Sequence, residues 1–244
     1  MYFPVVHGME QGMKKILVTI LVFDMTIGLL LLGLYRNKPR IVDFVQASSV
    51  ALETAEEQAD YKRIALTFDD GPHPYYTEQL LDGLKERGVQ VTFFVTGEHA
   101  KLHPDIIKRI YEEGHLIGNH TYSHMQLTAA NKEEFKNQLI MTNGVIEEIT
   151  GEEVVYVRPP YGTWDKAFEK ELNMIPVLWT IDPLDWCSRN VACITESVVE
   201  KAEENDIILM HDYYDTTVTA ALKIVDDLQA EGYTFVTVEE ILFD

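Results

Sequence analysis

The chain has 244 residues, of which 46% are hydrophobic, enough for one large α/β domain or two small domains with a sizeable buried core. Its 20 basic and 40 acidic residues leave a formal charge of −20, which argues against a nucleic-acid-binding protein because such a surface needs a basic stripe. An acidic surface is typical of a soluble domain, and it would also attract divalent cations or a product that becomes an amine.

The first distinctive segment is 16–35, which has twenty residues without Lys or Arg. A helix of that length, rising about 1.5 Å per residue, spans a hydrocarbon core of about 30 Å. Asp24 costs about 2.5–3.5 kcal/mol at the centre of such a helix, but the thirteen Leu, Ile, Val and Phe residues contribute roughly −4 to −8 kcal/mol. We therefore predict a transmembrane signal-anchor at 16–35, preceded by a cytoplasmic N-terminus at 1–15.

Cleavage of this segment is the alternative to an anchor. The hydrophobic run is long for a signal peptide, and the nearest small-x-small site, Val45-Gln46-Ala47, lies beyond a charged stretch. We favour an uncleaved, single-pass anchor in the cell membrane with an extracellular C-terminal domain, whereas cleavage would make the protein secreted. Basic residues flank both ends, so the orientation depends on the function inferred below. Residues 36–60 are predicted to be a linker.

Residues 61–244 alternate short apolar runs with helical patterns, which predicts one α/β domain with a parallel sheet and covering helices. The predicted strands are Ile64–Phe68, Val91–Val95, Leu116–Gly118, Val154–Val157, Pro176–Trp179, Ile207–Met210 and Thr234–Val236. The predicted helices are Thr77–Arg87, Pro104–Glu112, Lys132–Thr150, Ile194–Glu204, Val218–Ala230 and a short one from Glu239. Seven strands suit a barrel or an open sheet, and polar motifs at their carboxyl ends favour a barrel.

Five short polar motifs follow strand-like runs. They are Thr67-Phe68-Asp69-Asp70-Gly71, His120-Thr121-Tyr122-Ser123-His124, Arg158-Pro159-Pro160-Tyr161-Gly162, Asp182-Pro183-Leu184-Asp185-Trp186 and Leu209-Met210-His211. His120 and His124 are four residues apart, so on one helical turn their rings would point the same way. Asp70 is the candidate for the third ligand of a catalytic metal site with one open position. Two imidazoles and a carboxylate suit Zn²⁺, with Co²⁺, Ni²⁺ or Fe²⁺ able to compete.

The motifs together contain what metal-assisted hydrolysis of an amide or ester requires. His211 ends a buried apolar strand, so its side chain should emerge into the site as a candidate general acid. A zinc peptidase is a different class of metal hydrolase and would need His-Glu-x-x-His. The segment His120–His124 lacks that glutamate, which argues against a peptidase.

In this order, the five motifs resemble those of the polysaccharide deacetylases, carbohydrate esterase family four, and the resemblance extends from Arg63 to the C-terminus. It implies a distorted (β/α)7-type barrel, with Asp70, His120 and His124 as the metal ligands. The hydroxyl of Thr121 is expected to brace the histidine-bearing loop. The implied reaction is metal-dependent N-deacetylation of a polymer that contains N-acetylglucosamine, with release of acetate.

The same resemblance implies how the base and the acid are held. Asp69 would be the base, and Arg158 would keep it ionised and aimed through a charged hydrogen bond. His211 would be the acid that protonates the leaving amine. Asp185 would pair with it and raise its pKa.

Three further residues are implied to contact the substrate. The backbone N–H of Tyr161, the first amide after two prolines, would stabilise the oxyanion. Leu209 and Trp186 would wall a small pocket for the acetyl methyl group. Trp164 and Tyr213 are either sugar-stacking platforms or packing residues, and both readings stay open.

The polymer is less well defined than the reaction. A membrane anchor would hold the enzyme at the envelope, which makes peptidoglycan the first choice, but the same site could act on chitin oligomers or on O-acetylated xylan. A non-catalytic glycan-binding envelope protein is the alternative from a different class, and loss of a ligand, base or acid would support it. None is lost in this sequence.

Cys187 and Cys193 are the only cysteines. Outside the cell they could form a disulfide across a short loop, or they could remain two ordinary thiols, and both possibilities stay open. Their spacing is not that of a thiolate metal site. The oligomeric state is not predicted.

Overall fold

The computed structural model describes residues 62–243. The predicted cytoplasmic segment 1–15, the predicted anchor 16–35 and the predicted linker 36–60 lie outside these residues and stay predictions. None of the helices between residues 62 and 243 is both long and apolar enough to cross a membrane.

Strands and helices alternate along the described chain. The strands are β1 (Lys62–Asp69), β2 (Thr92–Val95), β3 (Leu116–Asn119), β4 (Tyr156–Val157), β5 (Ile175–Pro176), β6 (Ile207–His211) and β7 (Tyr233–Val236). The helices are α1 (Tyr76–Arg87), α2 (Gly97–Leu102), α3 (Pro104–Glu112), α4 (Lys132–Thr150), α5 (Ala167–Leu172), α6 (Val191–Val199), α7 (Asp215–Ala230) and α8 (Val238–Phe243), with a 3₁₀ turn at Pro160–Gly162. Each predicted strand overlaps an observed one, which confirms the α/β class.

The seven strands form one parallel sheet with the order β5-β4-β3-β2-β1-β6. β7 pairs with the first half of β1, at Lys62–Ala65, whereas β6 pairs with the second half, from Ala65 to Asp69. The segment after β5 reaches back to β6, because Leu209 N–H donates to the carbonyl of Ile181 at 2.9 Å. The sheet is therefore curled, which is consistent with the predicted distorted barrel.

Side chains alternate along β1 between the two faces of the curled sheet. On one face, three side chains pack in the main hydrophobic core: Ile64, Leu66 and Phe68. The opposite face carries Ala65, Thr67 and Asp69, and the last two contact the fully buried Arg158. A single apolar strand thus supplies both core packing and the first polar group of the site.

Several helix ends differ from the sequence prediction. α6 begins at Val191 rather than 194, because Asn190 Oδ1 accepts the N–H groups of Ala192 at 3.0 Å and Cys193 at 3.3 Å. It ends at Val199, five residues before the predicted end. α2 and α5 were not predicted at all.

Cys187 and Cys193 are free and exposed. The sequence left open a disulfide or two thiols, and the structure contains two thiols.

Candidate active site

The site begins where β1 ends, at two consecutive carboxylates. Asp69 is the last residue of β1, and its side chain is only 5% exposed. Asp70 follows with φ of 75°, a left-handed conformation that Asp tolerates better than most residues. The reversal sends the Asp70 carboxylate toward His120 and His124, while Asp69 stays on the inner face of the sheet.

His120 and His124 lie in the loop that follows β3. The predicted helical turn is wrong, because Thr121 and His124 have φ of 62° and 54° and the segment is not helical. The two rings still converge, with centroids 5.0 Å apart. Thr121 Oγ1 accepts the N–H of Met125 at 3.0 Å, a bond that closes this loop as expected for a bracing hydroxyl.

Asp70, His120 and His124 offer one ligand atom each, and these atoms lie within 4.8 Å of one another. Nε2 of each histidine is 3.4 Å from Asp70 Oδ1. That oxygen is buried and has no hydrogen-bond partner within residues 62–243. Because a buried carboxylate oxygen without a donor is costly, two imidazoles and this oxygen fit a divalent cation.

The protonation states of these groups also fit a metal. His120 Nδ1 lies 2.6 Å from the carbonyl of Arg158, which can only accept, so Nδ1 donates to it and Nε2 is the ring nitrogen that faces Asp70. Burial lowers the pKa of His124 and favours its neutral form. Burial would raise the pKa of Asp70, but His120, His124 and His211 lower it to about 2. Asp70 is thus held as a carboxylate and His124 as a neutral imidazole, which are the forms that bind metals.

Arg158 holds Asp69 from inside the curled sheet. Its Nη1 donates to Asp69 Oδ1 at 2.8 Å and to Thr67 Oγ1 at 2.5 Å, and Nε donates to the carbonyl of Val177 at 3.1 Å. The guanidinium also lies 4.2 Å from the centroid of the Phe94 ring. Burial lowers the pKa of Arg158, and Asp69 opposes that effect. These contacts fix the orientation of the Asp69 carboxylate.

His211 is held by Asp185 at the end of β6. Asp185 is fully buried, and its Oδ1 accepts from His211 Nδ1 at 2.9 Å. Its Oδ2 accepts the His211 N–H and the Thr217 hydroxyl, both at 2.9 Å. Burial would lower the pKa of His211, but Asp185, aided by Asp69 and Asp70, raises it to about 9. The imidazolium is therefore the favoured form near neutral pH, with Nε2 available to donate.

These groups line one cleft of about 430 Å³. Leu209 forms part of its wall and is 5% exposed, whereas Trp186 is 53% exposed at the rim. The exposed Tyr161 has φ of 60° in the 3₁₀ turn, and its ring stands edge-on to His124 with centroids 5.0 Å apart. Every residue predicted for the base, the acid, the metal and the acetyl pocket thus lies at this cleft or directly supports it.

Trp164 and Tyr213 have different surroundings. Trp164 is half-buried and packs against Phe135 and Phe168, which agrees with the packing alternative. Sugar stacking by Trp164 stays a prediction. Tyr213 lines a groove beside the cleft, and its hydroxyl lies 3.1 Å from His99 Nε2.

Two supporting residues were missed by the sequence reasoning. His99 Nδ1 lies 2.8 Å from the carbonyl of Asp70, so this ring supports the left-handed ligand residue. The fully buried Asp212 packs under the same turn, since a Cβ on Gly71 would lie 2.5 Å from its carboxylate. Burial raises the pKa of Asp212 to about 7. Their position just after β2 and β6 was the available signal, because neighbouring parallel strands bring such residues to one edge.

Comparison with known proteins agrees with this geometry. Residues 56–177 match the family described as polysaccharide deacetylase. The chain is 37% identical over 196 residues to the chitooligosaccharide deacetylase of Rhizobium leguminosarum bv. trifolii, which covers 73% of this chain and 91% of that protein. The chain belongs to the polysaccharide deacetylase family.

Two relatives of this polysaccharide deacetylase are named for peptidoglycan. Over 194 residues it is 38% identical to the peptidoglycan-N-acetylglucosamine deacetylase PgdA of Listeria monocytogenes, covering 80% of this chain and 42% of PgdA. The structure of the peptidoglycan deacetylase PdaC from Bacillus subtilis superposes with a TM-score of 0.72 at 40% identity, covering 75% of this chain and 91% of that one. This chain therefore spans less than half the length of PgdA.

Proposed function

We propose that this chain is a metal-dependent hydrolase that removes N-acetyl groups from N-acetylglucosamine residues of peptidoglycan and releases acetate. One observation supports this most directly. The Asp70–His120–His124 donor set shares a cleft with two separately held groups, Asp69 and His211. A hydrolytic amide cleavage needs a base and an acid of this kind beside an electrophilic cation.

The proposed cation is Zn²⁺, because two imidazoles and a carboxylate suit its borderline character, and Co²⁺, Ni²⁺ or Fe²⁺ could compete. Asp70, His120 and His124 would hold it. When bound, it would supply Lewis acidity toward the acetamide carbonyl.

The remaining chemistry falls to the side chains around the cleft. Asp69, held by Arg158 at 2.8 Å, would take a proton from the attacking water. His211, protonated beside Asp185, would deliver a proton to the leaving nitrogen. The backbone N–H of Tyr161 would donate to the developing oxyanion.

The acetyl group itself would enter the apolar side of the cleft. Leu209 is buried in its wall and Trp186 stands at its rim, so both would exclude water from the methyl group. These residues would recognise the acetyl group and the amide, and they would contact little of the rest of the polymer. The names of PgdA and PdaC support peptidoglycan, whereas the chitooligosaccharide deacetylase supports chitin oligomers as the alternative. O-acetylated xylan is a third candidate.

We also propose that residues 16–35 anchor the protein in the cell membrane with the catalytic domain outside the cell. The hydropathy of that segment supports this location, and so does a cell-wall substrate. Protease treatment of intact cells would remove an extracellular domain and leave the anchor. Recovery of a shortened chain in the medium would instead indicate cleavage and secretion, and a protected full-length chain would contradict the orientation.

The deciding experiment compares glycans side by side. The full chain, purified in detergent and loaded with Zn²⁺ or Co²⁺, would be incubated with peptidoglycan, chitin oligomers and acetylated xylan while acetate is measured. Asp69→Asn serves as the matched inactive control. Release from peptidoglycan by wild type alone supports the proposal. Release from xylan alone contradicts the substrate, and release from none by metal-loaded protein supports a non-catalytic glycan-binding protein.

A further inference from the structure

A second groove lies beside the catalytic cleft. It has a volume of about 300 Å³ and shares Asp70, His124, Trp186 and His211 with the cleft. Three further lining residues, Tyr213, Tyr214 and His99, form an aromatic wall of this groove. Since the groove and the cleft share a wall, a polymer with one sugar at the catalytic groups would place a neighbouring sugar in this groove.

The aromatic wall of the groove is held firmly in place. The Tyr213 hydroxyl lies 3.1 Å from His99 Nε2, and its ring meets the His73 ring edge-on with centroids 5.1 Å apart. Tyr214 packs edge-on against Tyr213, with centroids 6.2 Å apart. Rigid aromatic rings with polar edges suit a sugar, which has apolar ring faces and hydroxyl groups around its rim.

One cation contacts this wall through Tyr214, although it is not itself a lining residue of the groove. The Arg189 guanidinium stacks on the Tyr214 ring at 3.5 Å from its centroid, and the side chain is exposed. Within residues 62–243, Arg189 takes part in no ion pair with a carboxylate. A stacked guanidinium keeps its N–H donors free in the plane of the group, which is the geometry that a carboxylate accepts.

The surrounding charge makes this cation informative. The chain as a whole has a formal charge of −20. A glycan that carries carboxylates would be repelled by such a surface unless a local cation met it. A neutral glycan would gain no charge–charge attraction from Arg189.

We propose that the groove formed by Trp186, Tyr213 and Tyr214 is a subsite for the sugar next to the reacting one, and that Arg189 binds a carboxylate carried by that sugar. This proposal rests on the proposed function and narrows its substrate class to anionic glycans. In peptidoglycan, such a carboxylate has two sources: the lactyl group of a muramic acid unit without a peptide, or the peptide itself where one is joined to that lactyl group by an amide bond.

Three substrates and four proteins test the proposal. The substrates are neutral chitotetraose, a tetrasaccharide of alternating N-acetylglucosamine and N-acetylmuramic acid without peptide, and the same tetrasaccharide with stem peptides. The proteins are wild type, Arg189→Gln, Arg189→Lys and Lys108→Gln, all as full chains loaded with Zn²⁺. Lys108 is exposed and lines neither the cleft nor the groove, so its variant controls for the lost charge.

For Arg189→Gln we expect kcat/KM on the anionic tetrasaccharides to fall about three- to tenfold, mostly through KM, since the pair is partly exposed. The activity of Arg189→Gln on chitotetraose should match that of wild type. On the anionic substrates, the activity of Arg189→Lys should lie between those of wild type and Arg189→Gln. Lys108→Gln should match wild type on all substrates. The difference should shrink at high salt. A loss confined to the peptide-free tetrasaccharide places the carboxylate on the lactyl group, and one confined to the peptide-bearing form places it on the peptide.

Two results would overturn the subsite while leaving the proposed function intact. One is wild-type activity of Arg189→Gln on both anionic substrates. The other is an equal loss on chitotetraose, because this would show that Arg189 merely supports Tyr214. If wild type released acetate from none of the glycans, the proposed function would fall and the subsite with it.

Discussion

The carboxylates of Asp69 and Asp70 are consecutive in the chain, yet they contact different partners. Asp69 Oδ1 accepts from Arg158 Nη1 at 2.8 Å, and Asp70 Oδ1 lies 3.4 Å from Nε2 of both His120 and His124. The left-handed φ of 75° at Asp70 separates them, because it breaks the alternation of the strand. One pair of adjacent acids can thus serve as a base and as a metal ligand.

The donor set predicts a measurable metal affinity. His124→Ala should weaken Zn²⁺ binding by about a hundredfold or more, since removal of supporting groups around a metal already costs about 10–100-fold. His124 is half-buried at the rim of the site, so the variant should stay folded. Zn²⁺ titration of chelator-treated protein measures the change. His103 lies outside the donor set, so His103→Ala is the control and should bind Zn²⁺ as wild type does. Equal Zn²⁺ affinity of His124→Ala and His103→Ala would contradict the role of His124 as a ligand.

Asp69→Asn distinguishes the role of a catalytic base from that of a metal ligand. The amide can still accept from Arg158 but cannot take a proton, so acetate release should fall by about 10²–10⁴-fold. Zn²⁺ affinity should stay close to that of wild type, because Asp69 lies outside the donor set. A variant that retained turnover would contradict the role of Asp69, and one that lost both metal and turnover would indicate that Asp69 is a ligand.

The pairing of His211 with Asp185 predicts a pH effect. In the metal-free protein, NMR titration of the His211 ring should give a pKa of about 9, and Asp185→Asn should lower that pKa toward or below its ordinary value. Because the folded pKa is raised, the stabilising effect of this pair is complete below about pH 6.5 and is lost as pH rises through about 9. Asp185→Asn should therefore lack the decline in stability over that range. An unchanged His211 pKa in the variant would contradict the pairing.

Arg158 should be important for folding as well as for catalysis. Arg158→Met leaves the Asp69 carboxylate buried without its partner, so the free energy of unfolding should fall by about 3–5 kcal/mol. Arg87→Gln removes a surface partner of Asp226 and should cost less than about 1 kcal/mol. Urea denaturation measures the free energy of unfolding of both variants. Equal decreases would show that the buried Arg158–Asp69 pair contributes no more to stability than the surface pair.

His99 should support Asp70 through its backbone. The Asp70 carbonyl can only accept, so His99 Nδ1 donates to it over 2.8 Å, and Nε2 accepts from the Tyr213 hydroxyl. His99→Ala should weaken Zn²⁺ binding about 10–100-fold, and His99→Asn, which keeps a donor near Nδ1, should restore much of it. Equal affinities in wild type and His99→Ala would show that the turn at Asp70 needs no such support.

Much of the fold was predictable because it follows from local patterns. The seven apolar runs became strands near the predicted positions, and glycine at 88 and 151 ends α1 and α4 with φ of 63° and 81°. Those glycines avoid the steric cost of a Cβ in the left-handed region. The identities of the candidate ligands, base and acid were also accessible, since each follows an apolar run and belongs to a motif that resembles a family.

The features that sequence reasoning missed depend on contacts between distant segments. α2 begins without a side-chain cap, and its first N–H groups, on Gly97 and Glu98, donate to the carbonyls of Thr121 and Tyr122 at 3.0 and 2.9 Å. Its N-terminus is thus completed by the histidine-bearing loop, which no local pattern can show. The predicted helical turn at His120–His124 was wrong for the same reason. The carbonyls of Thr121 and Tyr122 accept hydrogen bonds from α2 and not from a helical turn of their own.

The sequence by itself determined the α/β class, the strand positions and the residue types that the chemistry requires, because apolar periodicity and strand ends are local properties. Only the tertiary structure decided how these residues are arranged. The left-handed turns at Asp70, Thr121 and His124 bring the three ligands together, and the curled sheet places Arg158 against Asp69. Such backbone conformations are stable only when neighbouring strands and loops satisfy their hydrogen bonds, so they arise from the assembled fold.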